Sequence, residues 1–234
     1  RYQSNITSLK LNNPLKRIRD RAFQHCSGIT KVDAQKINYV HNSAFEYCPN
    51  INYVQFGNFS DIPSTRAILS NAMRRVGQNV TNATVKIGKS INRIDSNAFF
   101  GDFPWIQNLE LQNIEVRLSA FRNQTNLTTL TTPNATLRVI GDRAFENCSS
   151  LTSDLRLDYN GISIAANAFF GCPVGHVFLD TPINKVTATS FSNAMIGNIY
   201  VRNATSQGWT IGVGTGPGGN NVYNWNNYPA YTPN

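Results

Sequence analysis

Four cysteines, three histidines and a glycine triplet are the residues of this 234-residue chain whose types could carry chemistry. Thiolates and neutral imidazoles ligate soft metals, and paired thiols form disulfides. The spacing argues for a different role. Cys26, Cys48, Cys148 and Cys172 include no Cys-x-x-Cys pair, and none of His25, His41 and His176 stands at ligand spacing from them. Gly214, Gly216 and Gly219 satisfy Gly-x-Gly-x-x-Gly, but Pro217 and Gly218 sit inside the match and no helical pattern follows it. A phosphate cradle is therefore not expected. Gly-x-Ser-x-Gly, His-Glu-x-x-His and local carboxylate pairs are all missing from the sequence.

What the cysteines share is their distance from a phenylalanine. Each stands three residues after one, and Gln124 and Ala194 occupy the same slot behind Phe121 and Phe191. A slot that accepts Cys, Gln and Ala is a packing position, and free Cys is among the most buried residue types. Buried free thiols are expected ahead of bridges joining Cys26 to Cys48 and Cys148 to Cys172, and ahead of metal binding.

The phenylalanines define the elements that hold these slots. Ala-Phe pairs place Phe at positions 23, 45, 99, 121, 145 and 169, and Thr-Ser-Phe supplies Phe191, giving steps of 22, 54, 22, 24, 24 and 22 residues. The long step holds two units and an insertion. A catalytic motif is not written seven times at one interval, whereas a solenoid repeat is. A second phrase keeps phase with the first: Ile6-Leu9-Leu11, Ile29-Val32-Ala34, Ile51-Val54-Phe56, Ile106-Leu109-Leu111, Val174-Val177-Leu179 and Ile196-Ile199-Val201. Its last positions alternate with period two, as in a strand with one face buried. Around Leu151 one extra residue shifts the phrase to Leu155 and Leu157.

Together the phrases resemble the BspA-like leucine-rich repeat, whose pattern "VIGDRAFENCSSL" at 139–151 follows almost letter for letter. The resemblance, which runs over residues 5 to 201, implies an α/β leucine-rich-repeat solenoid. About nine coils are expected, with a parallel β-sheet on one face and short helical turns on the other. Two segments depart from the pattern. In the insertion at 61–82, Ala67, Ile68, Ala72, Met73 and Val76 fall at helical spacing behind Pro63-Ser64-Thr65, which predicts a helix of about three turns. Residues 1–201 then form the solenoid. The Gly, Asn and aromatic tail at 202–234 is either a cap carrying Trp209, Trp225 and Tyr228 or a linker.

Composition narrows the function classes. Charged residues are 15% and hydrophobic ones 41%, so the core is ample and the surface largely neutral and polar, which suits an extracellular or cell-surface protein. No apolar run is long enough to span a membrane, and direct membrane insertion is not expected. A chain opening on Arg1 reads as processed or excised. The net charge of +8 attracts acidic partners such as anionic glycans, yet only Lys16, Arg17, Arg19 and Arg21 and the Arg74-Arg75 pair are dense. Nothing resembles a nucleic-acid module, and nucleic acid is not an expected partner. Nine Asn-x-Ser/Thr sequons occur, at Asn5, Asn58, Asn79, Asn82, Asn123, Asn126, Asn134, Asn147 and Asn203, as a composition rich in Asn and Thr produces on its own.

The expected function is therefore non-enzymatic: an adhesion or surface-interaction module, without cofactor or metal, for a host or neighbouring-cell surface protein or glycan. A spacer or surface-layer component without a ligand is the alternative, and a glycan-active enzyme comes third. Residues between the buried aliphatics of each strand point outward. That column predicts a ligand-binding set of Tyr53, Lys86, Arg156, His176, Phe178, Asn198 and Tyr200, with Phe178 and Tyr200 as exposed anchors unless the tail covers them.

Overall fold

The computed structural model describes residues 5–11, 16–57, 66–101, 103–112, 114–133, 137–157 and 159–228. Each of the first seven coils contributes two strands. They are β1 (Ser8–Lys10) and β2 (Arg17–Ile18), β3 (Lys31–Ala34) and β4 (Tyr39–Val40), β5 (Tyr53–Phe56) and β6 (Ala67–Ile68), and β7 (Ala83–Ile87) and β8 (Arg93–Ile94). There follow β9 (Ile106–Leu111) and β10 (Glu115–Val116), β11 (Thr129–Thr131) and β12 (Val139–Ile140), and β13 (Leu155–Leu157) and β14 (Ser163–Ile164). Two further coils give β15 (His176–Leu179) and β16 (Asn198–Val201), and the tail gives β17 (Val222–Asn224).

All the ladders that join these strands are parallel, and they form three sheets. The odd strands β1 to β11 make a six-stranded sheet, the even strands β2 to β14 a seven-stranded one, and β13, β15, β16 and β17 a four-stranded one. The first sheet ends where the extra residue near Leu151 falls. There the Leu130 amide donates to Ser153 Oγ rather than to a strand carbonyl. Burial alternates as the strand phrase requires: in β7 Ala83, Val85 and Ile87 are buried, while Thr84 and Lys86 face outward.

Among the described residues the expected helical turn of each coil is not found, and the only helical segments are short 3-10 turns in the last two coils and the tail. The expected α/β class is thus corrected to an all-β solenoid. The reason lies in where the turn amides go. Around Phe145, the amides of Arg143, Phe145 and Asn147 donate to Ala166, Ala168 and Phe170 of the next coil, at 2.8 to 3.1 Å. Those of Ala144, Glu146 and Cys148 donate three residues back within their own coil. An α-helix needs every amide for the carbonyl four residues earlier, and here half are committed to the neighbouring coil.

This alternation forces left-handed backbone two residues before and two residues after the slot. Arg21, His25, Ser43, Tyr47, Asn71, Arg75, Asn97, Ser119, Asn123, Arg143, Asn147, Asn167 and Asn193 all have φ between 50° and 63°. Asparagine tolerates that region better than most residues, so Asn123 and Asn147 have a conformational reason to be asparagine besides the sequons they open.

The predicted three-turn helix over 61–82 is also absent from its described part. Residues 61–65 lie outside the described residues; Ala67 and Ile68 form β6, and Ala72-Met73 occupies the Ala-Phe slot of a regular coil. The Phe45 amide donates to Ala72 and the Met73 amide to Ala98, as the Phe ladder demands. Ile68, Ala72, Met73 and Val76 are all buried, because the inward positions of one coil happen to mimic helical spacing.

Inside, the phenylalanines stack. Phe23 lies 5.3 Å from Phe45, and after Met73 the series Phe99, Phe121, Phe145, Phe169 and Phe191 continues in steps of 4.8, 5.4, 5.2 and 5.3 Å. Phe45 and the five rings after Met73 are fully buried, while Phe23 in the first coil is partly covered. The cysteine slot serves this ladder. Cys48 Sγ donates to the Phe23 carbonyl at 3.0 Å, Cys148 to Phe121 at 3.5 Å and Cys172 to Phe145 at 3.0 Å. Gln124 Nε2 does the same for Phe99 at 3.0 Å. All four thiols are free and buried. Burial pushes the Cys48 thiol up to about 12, and burial together with a side-chain hydrogen bond to Cys172 holds Cys148 well above the usual thiol range.

Phe145→Ala is expected to cost about 3–5 kcal/mol in a denaturant titration, since it opens a hole between two rings that cannot close. A loss under about 1 kcal/mol would contradict the stack. The Cys48 thiol sets a second expectation. Its folded value of about 12 exceeds the unfolded 9.0, so above pH 9 the unfolded chain loses this proton first and stability falls toward pH 12. Cys48→Ala should start less stable at neutral pH but lose stability less steeply over that alkaline range, as read from thermal midpoints.

Candidate interaction surface

The outward column of the first sheet is set by the strand register. Lys31, Tyr53, Thr84, Asn108 and Thr129 align across neighbouring coils, as do Asp33, Gln55, Lys86, Glu110 and Thr131. Tyr53 is tied down within it: the Lys31 ammonium lies 4.9 Å from its ring centroid, and its hydroxyl donates to Gln55 Oε1 at 2.6 Å. Desolvation first, with Asp33 and Glu110 adding to it against Lys86, raises the Tyr53 phenol above its usual value. It stays a neutral donor. Lys86 pairs with Glu110 at 3.2 Å, so this stretch of the face is internally compensated.

The remaining members of the predicted set fall on the four-stranded sheet. Arg156, Phe178, Tyr200 and Tyr223 share one register line across β13, β15, β16 and β17, and His176 aligns with Asn198. The structure therefore brings Arg156, His176, Phe178, Asn198 and Tyr200 together and leaves Tyr53 and Lys86 on β5 and β7 of the first sheet.

Phe178 and Tyr200 are not the exposed anchors expected of them, for they are only 0% and 6% exposed. The tail turns back over them. Trp225 packs 5.2 Å from Phe178, and Tyr228 stands edge-on 4.9 Å from Phe178 and 5.1 Å from Tyr200. These rings form a second apolar cluster on the outer side of the sheet, separate from the main core. Arg156 lies over the Phe178 ring and Arg202 over Trp225, both at 4.8 Å. What solvent reaches is the rim: Arg156 is exposed, and His176, Asn198, Tyr223 and Tyr228 are half-buried. The His176 ring meets Tyr200 and Tyr228 edge-on at 5.5 Å, and its Nδ1 has no hydrogen-bond partner among the described residues. Asn221 Nδ2 reaches Asn198 Oδ1 at 3.4 Å.

Tyr223 and Tyr228 are the surface residues that the repeat phrase could not supply. The alternation Val222-Tyr223-Asn224, with only Val222 fully buried, is a short strand pattern that an Asn-rich tail disguises. The rest of the tail closes the end of the stack. Trp209 is buried and donates its indole N–H to the Thr181 carbonyl at 2.8 Å, and the Gly218 amide bonds Ala188 at 2.8 Å beside Phe191. Among the described residues, no three His, Cys, Asp or Glu side chains converge as a metal site would need, and no helix is long and apolar enough to cross a membrane.

The sequence model of the BspA type leucine rich repeat region matches residues 2–113 and 114–208, in six copies. The chain belongs to this family. No curated protein sequence matches it. The BspA-type repeat thus covers the coils from β1 to β16, while the strand that completes the aromatic cluster, β17, lies beyond the matched residues.

The outer cluster yields a stability expectation. Trp225→Ala should free the tail, seen as faster limited proteolysis after residue 208, while the Phe ladder and the cooperative melt of the coils stay close to wild type. A large drop in the main melt would mean that the cluster and the core unfold as one body.

Proposed function

We propose that this protein is a non-enzymatic, extracellular surface-interaction module that takes a protein or glycan partner on the outer face of its four-stranded sheet. The observation that carries this reading is the aromatic cluster placed outside the core. A solenoid coil needs its inward residues to fold, and it has no packing need for Phe178, Tyr200, Tyr223 and Tyr228 on its solvent side. Large rings fixed in place by neighbours, with an arginine and hydrogen-bonding groups around them, have the make-up of binding hot spots. The half-exposed Tyr223 and Tyr228 faces offer apolar contact, and Arg156, His176 and Asn198 offer polar contact at the rim. The neutral, polar composition and the surface role of BspA-like proteins support the location.

Burial of Phe178 and Tyr200 moves the test to the rim. Against immobilised glycans and matrix proteins, Tyr228→Ala and Arg156→Ala should each weaken binding by about 1–2 kcal/mol, roughly 5- to 30-fold. Arg74→Ala and Arg75→Ala, on the turn face, should leave it within about twofold. Loss with the arginine pair and not with Tyr228 would assign binding to the turn face. Absence of any partner would leave the spacer.

A further inference from the structure

The chain's excess positive charge lies in its first hundred residues: residues 51–100 hold six basic residues against Asp61 and Asp95, and the first two coils hold as large an excess. Residues 5–50, the first two coils, hold seven basic residues (Lys10, Lys16, Arg17, Arg19, Arg21, Lys31 and Lys36) against Asp20, Asp33 and Glu46. Elsewhere five arginines of the second sheet and its turns are answered by carboxylates. Arg93 meets Asp95 at 2.7 Å, Arg117 and Arg138 meet Glu115 at 3.5 and 3.8 Å, and Arg122 and Arg143 meet Glu146 at 3.1 and 3.6 Å. The first coil is different. Lys16, Arg17, Arg19 and Arg21 are all exposed, and among the described residues none has a carboxylate within ion-pair distance. Asp20, which sits between two of them, faces His41 instead at 3.7 Å. Glu46 is nearly buried and is engaged by Gln24 and Arg74.

The fold explains why these cations are side by side. Ile18 is buried in β2, so Arg17 and Arg19 on either side of it project from the outer face of the second sheet. The next coil places Tyr39 and His41 beside them, and the Arg17 guanidinium lies 5.0 Å from the Tyr39 ring centroid. Like charges so close repel one another in the free protein and are neutralised by a bound anion, which makes the array a polyanion acceptor.

We propose that the outer face of the first two coils, centred on Arg17, Arg19 and Arg21, binds a linear anionic polysaccharide bearing sulfate or carboxylate groups. Arg17, Arg19 and Arg21 follow one another at two-residue steps along the first coil, about 6–7 Å apart where the chain is extended, so a ligand lying across the solenoid along that coil brings successive anionic groups past successive guanidinium groups. Guanidinium forks suit both oxyanions. A single-stranded nucleic acid is disfavoured because it draws affinity from bases stacked on open rings. Here the rings are taken: Tyr39 by Arg17 and His41, and Tyr53 by Lys31. This face is distinct from the aromatic rim proposed above, and neither depends on the other.

The test is fluorescence anisotropy with labelled heparin at fixed ionic strength, with a neutral dextran and an oligothymidine as competitors. Wild type should bind heparin, and dextran should not compete. Replacing Arg17, Arg19 and Arg21 together by Ser should weaken binding at least tenfold and flatten its salt dependence. Arg117→Ser with Arg143→Ser, removing equally exposed but compensated charge, should change it less than twofold. If the triple variant melts lower than wild type, the single variants decide, each expected to lose a few-fold. The proposal is overturned if the triple variant binds within twofold of wild type, or if the paired control loses as much. It also fails if oligothymidine competes as well as heparin at equal charge, which would give the face to nucleic acid. Tyr228→Ala leaves heparin binding unchanged, which separates this face from the aromatic rim.

Discussion

Most coils of this protein are held to the next by one residue doing two things at the same height. At the Phe slot the backbone amide donates to the carbonyl before the next slot, and the ring lies on the next ring; Phe145 does both toward Ala168 and Phe169. Strands are spaced about 4.8 Å apart, close to the separation at which rings pack, so both ladders run in step. That shared interval fixes the coil. Extra residues fit only where the chain is outward of the ladders, and even one near Leu151 ends the first sheet. A slot carbonyl that accepts the amide three residues on keeps a second lone pair, and the thiol or glutamine amide three residues after the slot of the next coil fills it, as Cys172 does for Phe145 and Gln124 for Phe99.

Much of this was legible in the sequence because the interval is. Six Ala-Phe pairs and the aliphatic phrase determine strands, inward faces and stacking order, and they place the cysteines among packing residues before any coordinate is known. The legible part ends where a coil changes its side chains without changing its path. Met73 fills a phenylalanine slot, so the third coil loses its signature, and Ile68, Ala72 and Val76 then mimic an amphipathic helix. The turns were misread for a subtler reason. Their composition is compatible with a helical turn, and only the stacked neighbour, which takes half of their amides, selects alternating left-handed backbone instead.

The candidate surface was legible by column but not by exposure. Strand periodicity correctly assigns Phe178 and Tyr200 to the outer face, and no local rule states that residues some twenty-five positions later return to cover them. The cover is a strand of three residues, β17, followed by Trp225 and Tyr228, set in an Asn- and Gly-rich segment whose pattern is weak. The first and last coils consequently differ in chemistry: rings gather in the last, unanswered cations in the first. In the middle coils Lys86, Arg93, Arg117 and Arg122 each face a carboxylate.

The claim on which all of this rests is that the slot amides are bonded between coils. Native-state hydrogen exchange of Phe121, Phe145 and Phe169 against rising denaturant measures it directly. The inter-coil ladder predicts that these amides exchange only through global opening, with one common free energy and a denaturant slope equal to that of unfolding. Fast exchange with no denaturant dependence, as in solvent-bonded turns, would contradict the ladder and with it the fold described here.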